Sequence, residues 1–219
     1  MGTMTVAVVG ATGLVGGEIL SGLNDRRFPA SEIRLLASED SVGELYQAGD
    51  QEVAVQLLDE HAFRGVDVAL FALSNELAEQ WVPKALNLGV RCVDTSSVFR
   101  LRADVPLIVP EINATECTEK ARLIANPNCT TAQLVTVLGP LHRAFGCKRV
   151  VVSTYQSISG AGKEALDELW SQYLAIFQQR ELSEEKIGAQ LAFNLLPVIG
   201  GFENDGYTVE EHKIISETR

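Results

Sequence analysis

A short apolar segment that runs directly into three evenly spaced glycines constrains the fold of this chain more than any other feature. Thr5–Val9 is suited to a buried strand, Gly10–Gly16 has the pattern G-x-x-G-x-x-G, and the amphipathic stretch Glu18–Leu23 predicts a helix. A glycine turn between a strand and a helix lets the backbone approach a pyrophosphate, whose charge the helix N–H groups can bind. The pattern predicts nucleotide binding, with a tight turn that holds no ligand as the alternative.

Strands and helices alternate along the first part of the chain. Further strands are predicted at Ile33–Leu36, Val53–Leu57, Val66–Phe71, Val90–Asp94 and Leu123–Ala125, with a helix at Leu77–Leu88. This alternation is typical of parallel β-α-β units. It predicts an α/β, Rossmann-like fold with a doubly wound parallel sheet.

The pattern changes in the second part of the chain. Arg149–Ser157 is rich in β-branched residues and predicts a strand, Lys163–Phe177 predicts a helix, and Phe193–Pro197 is typical of a buried extended segment. We therefore expect a dinucleotide-binding domain at residues 1–134 and the start of an α+β catalytic or dimerisation domain at residues 135–219.

One cysteine differs from the other three in its surroundings. Cys129 follows the turn-forming Asn126-Pro127-Asn128 and precedes an apolar run, Ala132–Leu138, that predicts a helix. The N-terminus of a helix favours negative charge and hence the thiolate, which is the nucleophilic form of cysteine. Cys129 is therefore a candidate nucleophile, and a buried cysteine that only fills space is the alternative.

Composition narrows the classes of partner. The net charge of −11 makes nucleic acid and anionic membranes poor partners. No signal peptide or membrane-spanning run is visible, so we expect a cytoplasmic protein. The cysteines Cys92, Cys117, Cys129 and Cys147 include no C-x-x-C pair, so we expect neither a metal site nor a disulfide scaffold.

Acidic residues follow the second predicted strand, where the adenosine ribose of a dinucleotide would lie. Glu39, Asp40 and Glu44 stand in this loop without any Arg or Lys. A carboxylate at this point binds the ribose hydroxyls of NAD, whereas a 2′-phosphate needs a basic residue. A solvated acidic loop is the alternative.

Other side chains are suited to an anionic or carbonyl substrate. Arg100 follows a strand end and can bind an oxyanion bidentately, and Gln156 can donate to a carbonyl or carboxylate group. Glu210 and Lys213 are spaced i, i+3 on one face of a predicted helix. The alternatives are surface charges, a buried structural amide and a weak surface ion pair.

Together these segments resemble the aspartate-β-semialdehyde dehydrogenase family. The resemblance rests on Gly10–Gly16, Ser96–Arg100, Asn126–Thr131, Tyr155-Gln156 with Ser159–Lys163, and Glu210–Lys213, which occur in the family's order. The cysteine motif combined with the Gln and Gly-Ala-Gly-Lys segment is highly specific, whereas the glycine loop alone is not.

The resemblance implies an oxidoreductase that converts L-aspartyl-4-phosphate to L-aspartate 4-semialdehyde and phosphate, on the route to diaminopimelate, lysine, threonine and methionine. It implies that Cys129 forms a thioester with the substrate and that Gln156 holds the acyl intermediate. Arg100 and Lys213 would bind the phosphate, and Glu210 would bind the substrate amino group.

The cofactor that the resemblance implies is NADP. The implied contacts are Gly10, Thr12, Gly13, Leu14, Val15 and Gly16 after the first strand, and Ser159 and Gly160 in the second domain. Family members carry an Arg-Ser pair in the ribose loop, where this chain has Asp40-Ser41. We therefore expect a weaker preference for NADP than in the family, with NAD bound comparably or better.

The resemblance also bears on assembly and length. Family members form dimers or tetramers through the second domain, so we expect a homodimer or homotetramer. Family chains extend further, into a segment with a general-base histidine and a carboxylate-binding arginine. We therefore expect a fragment or a truncated relative, which binds nucleotide but does not turn over aspartyl phosphate alone.

Two other functions are compatible with parts of the sequence. An N-acetyl-γ-glutamyl-phosphate reductase shares the architecture and thioester chemistry, but its glycine loop and cysteine motif differ. A non-catalytic relative kept for binding or assembly is the other alternative. Cys129, Arg100 and Lys213 argue against it, whereas Asp40 argues for it.

Overall fold

The computed structural model describes residues 4–219, which divide into two compact units. The first unit contains the residues up to Gly146 together with Glu217–Arg219, and the second contains Cys147–Ser216. The boundary predicted after residue 134 lies inside a continuous helix, Cys129–Phe145. Gly146 ends this helix with φ of 69°, a left-handed conformation common at helix ends, and the units divide there.

The described part of the first unit forms one seven-stranded sheet. Its strands are β1 Met4–Val9, β2 Ala30–Ala37, β3 Leu45–Ala48, β4 Gln51–Leu57, β5 Val68–Phe71, β6 Arg91–Asp94 and β7 Leu123–Ala125. Its helices are α1 Leu14–Asp25, α2 Asn75–Asn87, α3 Pro110–Asn113 and α4 Cys129–Phe145. The strand order is β3-β4-β2-β1-β5-β6-β7, and among these described strands only β3 and β4 pair antiparallel. The predicted doubly wound parallel sheet is confirmed, with an antiparallel edge strand, β3, that was not predicted.

The strand order reverses at β1, which lies between β2 and β5. Val9 of β1 pairs with Leu36 of β2 and with Phe71 of β5, so these strands end at one edge of the sheet. Asp94 of β6 pairs in turn with Phe71 and with Ala125 of β7. Ligands of open α/β sheets bind at the carboxyl ends of the strands, where the order reverses.

The central strands are buried on both faces. Val8 and Leu35 pack with Leu20 of α1 in one core cluster, whereas Val9 and Leu36 belong to a second cluster that includes residues of α2. Successive strand residues therefore enter two separate cores. This explains why the strands read as continuous apolar runs rather than as alternating patterns.

The helices of the second unit are α5, Lys163–Phe177, and α6, Val209–Glu217; the last residue of α6 groups with the first unit. Two buried polar side chains of α5 bind the irregular part of the second unit. Glu168 of α5 accepts hydrogen bonds from the N–H groups of Lys186 and Ile187. Gln172 accepts from two N–H groups and donates to two carbonyls within residues 183–192. This irregular segment therefore takes its hydrogen bonds from α5. Across the described residues, no helix has the length and apolarity needed to cross a membrane.

The strand predicted at Arg149–Ser157 is wrong. This segment forms no strand, and Val151 and Tyr155 are 79% and 83% exposed. A β-branched segment becomes a strand only when a neighbour satisfies its backbone hydrogen bonds, and no described segment of the second unit pairs with it.

The buried extended segment predicted at Phe193–Pro197 is also wrong. Phe193 and Leu195 are 69% and 62% exposed. Phe193 has φ of 59°, and the N–H of Asn194 donates to a carbonyl three residues earlier, so the chain turns here. The Phe193 ring meets the ring of Tyr173 edge-on, with centroids 5.0 Å apart, instead of entering a core.

Candidate active site

The glycine turn after β1 packs closely on itself and on a neighbouring strand end. Gly10 has φ of 83°, and a Cβ there would collide with the carbonyl oxygen of Ala72, which follows β5. A Cβ at Gly16 would collide with the carbonyl oxygen of Gly10. Helix α1 begins at Leu14 with neither a side-chain cap nor an acidic residue in its first turn. These features are those of a cradle for an anion such as a pyrophosphate.

The loop after β2 lies against this glycine turn. Ser41 Oγ donates to Thr12 Oγ1 at 3.3 Å. The loop expected to bind the ribose therefore contacts the glycine turn expected to bind the pyrophosphate. Asp40 is exposed within the short 3-10 turn Glu39–Ser41, which contains no basic residue. A carboxylate is therefore available near the expected ribose position.

Cys129 is the first residue of α4, and it is exposed. Asn128 caps the helix, because its side-chain oxygen accepts from the N–H groups of Thr130 at 2.9 Å and Thr131 at 3.4 Å. The cap fixes the first turn of α4. The predicted nucleophile therefore lies where the helix favours negative charge and where solvent can reach it.

Arg100 is a buried charge rather than a surface one, since its side chain is 9% exposed. Its Nη1 lies 3.0 Å from Glu217 Oε1, and its Nη2 donates to the carbonyl of Thr95 at 2.7 Å. The other carboxylate oxygen, Glu217 Oε2, accepts from the N–H of Asn128 at 2.6 Å. One carboxylate thus joins Arg100 to the turn before Cys129. No local sequence signal marks Glu217, because its partner Arg100 lies 117 residues away.

A second carboxyl group, that of Asp94, is fully buried at the end of β6. Burial raises its pKa, while the hydrogen bond from Ser96 and the charge of Arg100 oppose that rise. The backbone carbonyl of Asp94 accepts from the N–H of Asn126 at 2.8 Å, which connects β6 to the Asn126-Pro127-Asn128 turn before Cys129. From the sequence, Asp94 is predicted to lie at the end of a strand, just before the Ser96–Arg100 motif, but no motif assigns it a role.

The remaining predicted residues belong to the second unit. Gln156 is half-buried and precedes Ser157, whose hydroxyl accepts from the N–H of Ser159 at 3.4 Å and caps the short turn Ile158–Ala161. Ser159 and Gly160 are exposed within that turn. This segment is a capped turn rather than the end of a strand.

Glu210 and Lys213 form an ion pair near the start of α6. Lys213 Nζ lies 3.3 Å from Glu210 Oε2, and the two side chains are 32% and 13% exposed. His212 of the same helix lies 2.9 Å from an oxygen of Asp205. The pair is therefore more buried than the surface ion pair that its spacing alone suggested.

The structure gathers the predicted first-unit residues at one edge of the sheet. The glycine turn, the Asp40-Ser41 loop, Arg100 and Cys129 follow β1, β2, β6 and β7, all of which run in the same direction. Gln156, Ser159, Gly160, Glu210 and Lys213 form a separate set within the second unit.

Comparisons with known proteins agree with this arrangement. Residues 5–120 match the family model for the semialdehyde dehydrogenase, NAD-binding domain, and residues 138–219 match the semialdehyde dehydrogenase, dimerisation domain. This chain belongs to the semialdehyde dehydrogenase family. The resemblance seen in the motifs is thereby confirmed, and a nicotinamide dinucleotide is the cofactor class that the first domain indicates.

Related proteins align with nearly the whole of this chain. Aspartate-semialdehyde dehydrogenases of Bacillus subtilis (strain 168) and Aquifex aeolicus (strain VF5) are 42% and 45% identical over 98% of the chain. A crystal structure of aspartate semialdehyde dehydrogenase II from Vibrio cholerae complexed with ASA matches with a TM-score of 0.95 and 41% identity, over 100% of this chain and 66% of that chain. The chain spans 64% of the length of the two curated relatives.

Proposed function

We propose that this protein carries out the reversible, NADP-dependent reductive dephosphorylation of L-aspartyl-4-phosphate to L-aspartate 4-semialdehyde, on the route to diaminopimelate, lysine, threonine and methionine. The observation that carries the proposal is the exposed Cys129 at the first position of α4, with Asn128 as the helix cap. The names of the bacterial relatives support the choice of substrate.

Cys129 supplies the nucleophile in this reaction. Its thiolate bonds to the acyl carbon of L-aspartyl-4-phosphate, and the bond from that carbon to the phosphate oxygen breaks. Inorganic phosphate departs, and the acyl group remains bound to Sγ as a thioester. A nicotinamide cofactor, when bound at the glycine turn, would supply the hydride that reduces this thioester. Cleavage of the C–S bond would then release the semialdehyde and return Sγ to the thiolate.

Five side chains have proposed roles towards the substrate and the cofactor. Arg100 and Lys213 bind the phosphate, Glu210 binds the substrate amino group, and Gln156 holds the acyl intermediate. Arg100 fits its role because its buried Nε has no hydrogen-bond partner among residues 4–219, so this N–H is free to donate to an oxyanion. In the second unit, Ser159 and the adjacent Gly160 contact the cofactor.

The glycine turn fits a dinucleotide, because a Cβ at Gly10 or Gly16 would fill the space between the loop and its neighbours. We propose NADP as the cofactor. An aspartate semialdehyde dehydrogenase from Candida albicans solved with NADP matches with a TM-score of 0.55 and 28% identity, over 66% of this chain and 48% of that chain. Asp40 should weaken the preference, because its carboxylate repels a 2′-phosphate.

Substitution of Asp40 tests this choice of cofactor. Asp40→Arg should shift affinity towards NADP by about 5- to 150-fold, which corresponds to about 1–3 kcal/mol for a charge-assisted hydrogen bond. Titration of both cofactors measures the shift, and Asp50→Arg, at another exposed position, is the control for the change in net charge. A strong NADP preference in the wild type would show that other residues recognise the phosphate.

We also propose that the protein assembles as a homodimer or homotetramer. The match of residues 138–219 to a dimerisation domain supports this assembly. Light scattering coupled to gel filtration tests it, and a monomer at every concentration would contradict it.

The reaction is tested by following NADP reduction with L-aspartate 4-semialdehyde in the presence and absence of inorganic phosphate, in the full-length gene product. Cys129→Ala should lower turnover by about a thousandfold or more while cofactor affinity stays unchanged. Cys117→Ala, at another exposed cysteine of the first unit, is the control and should retain activity. Phosphate-dependent turnover in Cys129→Ala would refute the proposal.

A further inference from the structure

Glu217 is a buried carboxylate that connects two predicted functional groups. Its side chain is 2% exposed, and its two oxygens have different partners. Oε1 pairs with Arg100 Nη1 at 3.0 Å, and Oε2 accepts the N–H of Asn128 at 2.6 Å. Asn128 is the helix cap next to Cys129, so Glu217 lies between the guanidinium group and the nucleophile's own helix turn.

Both charged side chains of the Arg100–Glu217 pair are buried away from water, so each must stay in place to keep its charged partner. A buried charge is costly unless it is paired and hydrogen-bonded. Arg100 is held on its other side by the carbonyl of Thr95 at 2.7 Å, so its guanidinium has two fixed anchors. A shift of the Asn128 turn would move the carboxylate and, with it, Arg100.

We propose that Glu217 is a positioning residue, which couples Arg100 to the first turn of α4 so that the phosphate-binding group and the Cys129 sulfur keep one relative placement. The inference rests on the proposed roles of Cys129 and Arg100. Glu217 acts through these two groups, with which both of its carboxylate oxygens interact. Its negative charge also compensates Arg100, so the site gains the hydrogen-bond donors of a guanidinium without a net positive charge.

The test compares Glu217→Gln with Glu217→Asp, which keeps the charge, and with Glu79→Gln, which makes the same charge change at an exposed position of α2. The chain is exposed briefly to iodoacetamide, and the modification of each cysteine is measured by peptide mass spectrometry. Cys117 reports an exposed thiol of the same unit, and the fully buried Cys92 reports loss of the fold.

Glu217→Gln should raise the alkylation rate of Cys129 relative to Cys117 by about threefold, because a negative charge next to the first turn of α4 is lost. Cys92 should stay protected. Glu217→Asp and Glu79→Gln should both leave the alkylation rate of Cys129 close to its wild-type value, because both keep the negative charge next to the first turn of α4. An unchanged or slower reaction of Cys129 in Glu217→Gln, or simultaneous reaction of Cys92, would overturn the proposal in favour of a purely structural ion pair.

Inorganic phosphate supplies a second readout. It should slow the alkylation of Cys129 in the wild type, and Glu217→Gln should need about tenfold more phosphate for the same protection, because Arg100 is no longer fixed to the cysteine turn. Equal protection curves in the two proteins would overturn the coupling. If phosphate protects neither protein, the proposed phosphate role of Arg100 fails, and the Cys129 rate alone decides the role of Glu217.

Discussion

Two cysteines of the first unit have opposite surroundings and therefore opposite expected chemistry. Cys129 is exposed at the start of α4, whereas Cys92 lies in β6 and is fully buried. Burial raises the pKa of Cys92 to about 12, although the charge of Arg122 opposes the rise. Reactivity at these positions follows from the environment, because only the thiolate is an effective nucleophile.

The wild-type protein should therefore show a clear order of alkylation. At about pH 8, Cys129 should react first, Cys117 and Cys147 more slowly, and Cys92 only after unfolding, since a thiol with a pKa of about 12 is ionised to only ~0.01% at that pH. Peptide mass spectrometry of a short iodoacetamide pulse measures the order. Labelling of Cys92 as fast as Cys117 in the folded protein would contradict it.

Asp94 gives a pH-dependent prediction. Its pKa is raised in the folded protein, so its contribution to stability is fully present below the unfolded value of about 3.9 and is lost as the pH rises through the folded value. Asp94→Asn should therefore raise the unfolding midpoint at neutral pH, by about 2–4 °C for each kcal/mol gained, and lose this advantage below about pH 4. Thermal unfolding across pH measures it, with the exposed Asp25→Asn as the control. If the difference in unfolding midpoint between wild type and Asp94→Asn does not change with pH, the raised pKa of Asp94 is contradicted.

At the scale of elements, the turn from β1 into α1 depends on two glycines for different reasons. Gly10 supplies a positive φ, and Gly16 allows α1 to pack against the carbonyl of Gly10. At Gly17, the next residue, an added Cβ would meet no atom within 4 Å outside its own helix turn. The neighbouring positions 16 and 17 therefore form a matched pair for substitution.

Gly16→Ala should destabilise the first unit by roughly 1–3 kcal/mol through overpacking, and it should weaken dinucleotide binding at least about tenfold by displacing the loop. Gly17→Ala should be neutral or stabilising by up to about 1 kcal/mol, because alanine is the better helix former. Chemical denaturation of both variants measures the change in the free energy of unfolding, and cofactor titration measures the change in dinucleotide affinity. Equal behaviour of the two variants would mean that the loop tolerates the displacement.

Most elements of the first unit could be predicted from the sequence, because its strands are buried apolar runs bounded by glycines and polar turns. The short edge strand β3 was missed, since it has only four residues and its exposed Leu45 is apolar, so the sequence shows no alternation of apolar and polar positions. Arg149–Ser157 was misjudged, because its strand propensity is not matched by a pairing partner among the described residues. Candidate site residues can be predicted where motifs are local, as at Cys129, whereas Glu217 depends on a contact that only the fold creates.

At the scale of the whole molecule, the two units differ in the interactions that stabilise each of them. The first unit has a sheet with two apolar core clusters, whereas the irregular part of the second unit depends on Glu168 and Gln172. A tryptophan lies in each unit, Trp81 on α2 and Trp170 on α5. Each unit therefore carries its own fluorescence probe.

Gln172→Leu should destabilise the second unit by about 3 kcal/mol or more, because the backbone groups that the amide binds would be left without partners. In a Trp81→Phe background, the unfolding midpoint reported by Trp170 should fall, and in a Trp170→Phe background the midpoint reported by Trp81 should fall less. Gln178→Leu, at the exposed end of α5, is the control. Equal shifts at both tryptophans would show that the units unfold together.

The burial of the Arg100–Glu217 pair also determines how the protein should respond to ionic strength. Exposed pairs such as Lys163–Asp167, whose side chains are 66% and 62% exposed, lose their attraction as dissolved ions screen it. Arg100 and Glu217, at 9% and 2% exposure, are largely out of reach of those ions. Salt should therefore screen the repulsion between a chain of net charge −11 and its proposed anionic substrate, while the placement of Cys129 stays the same.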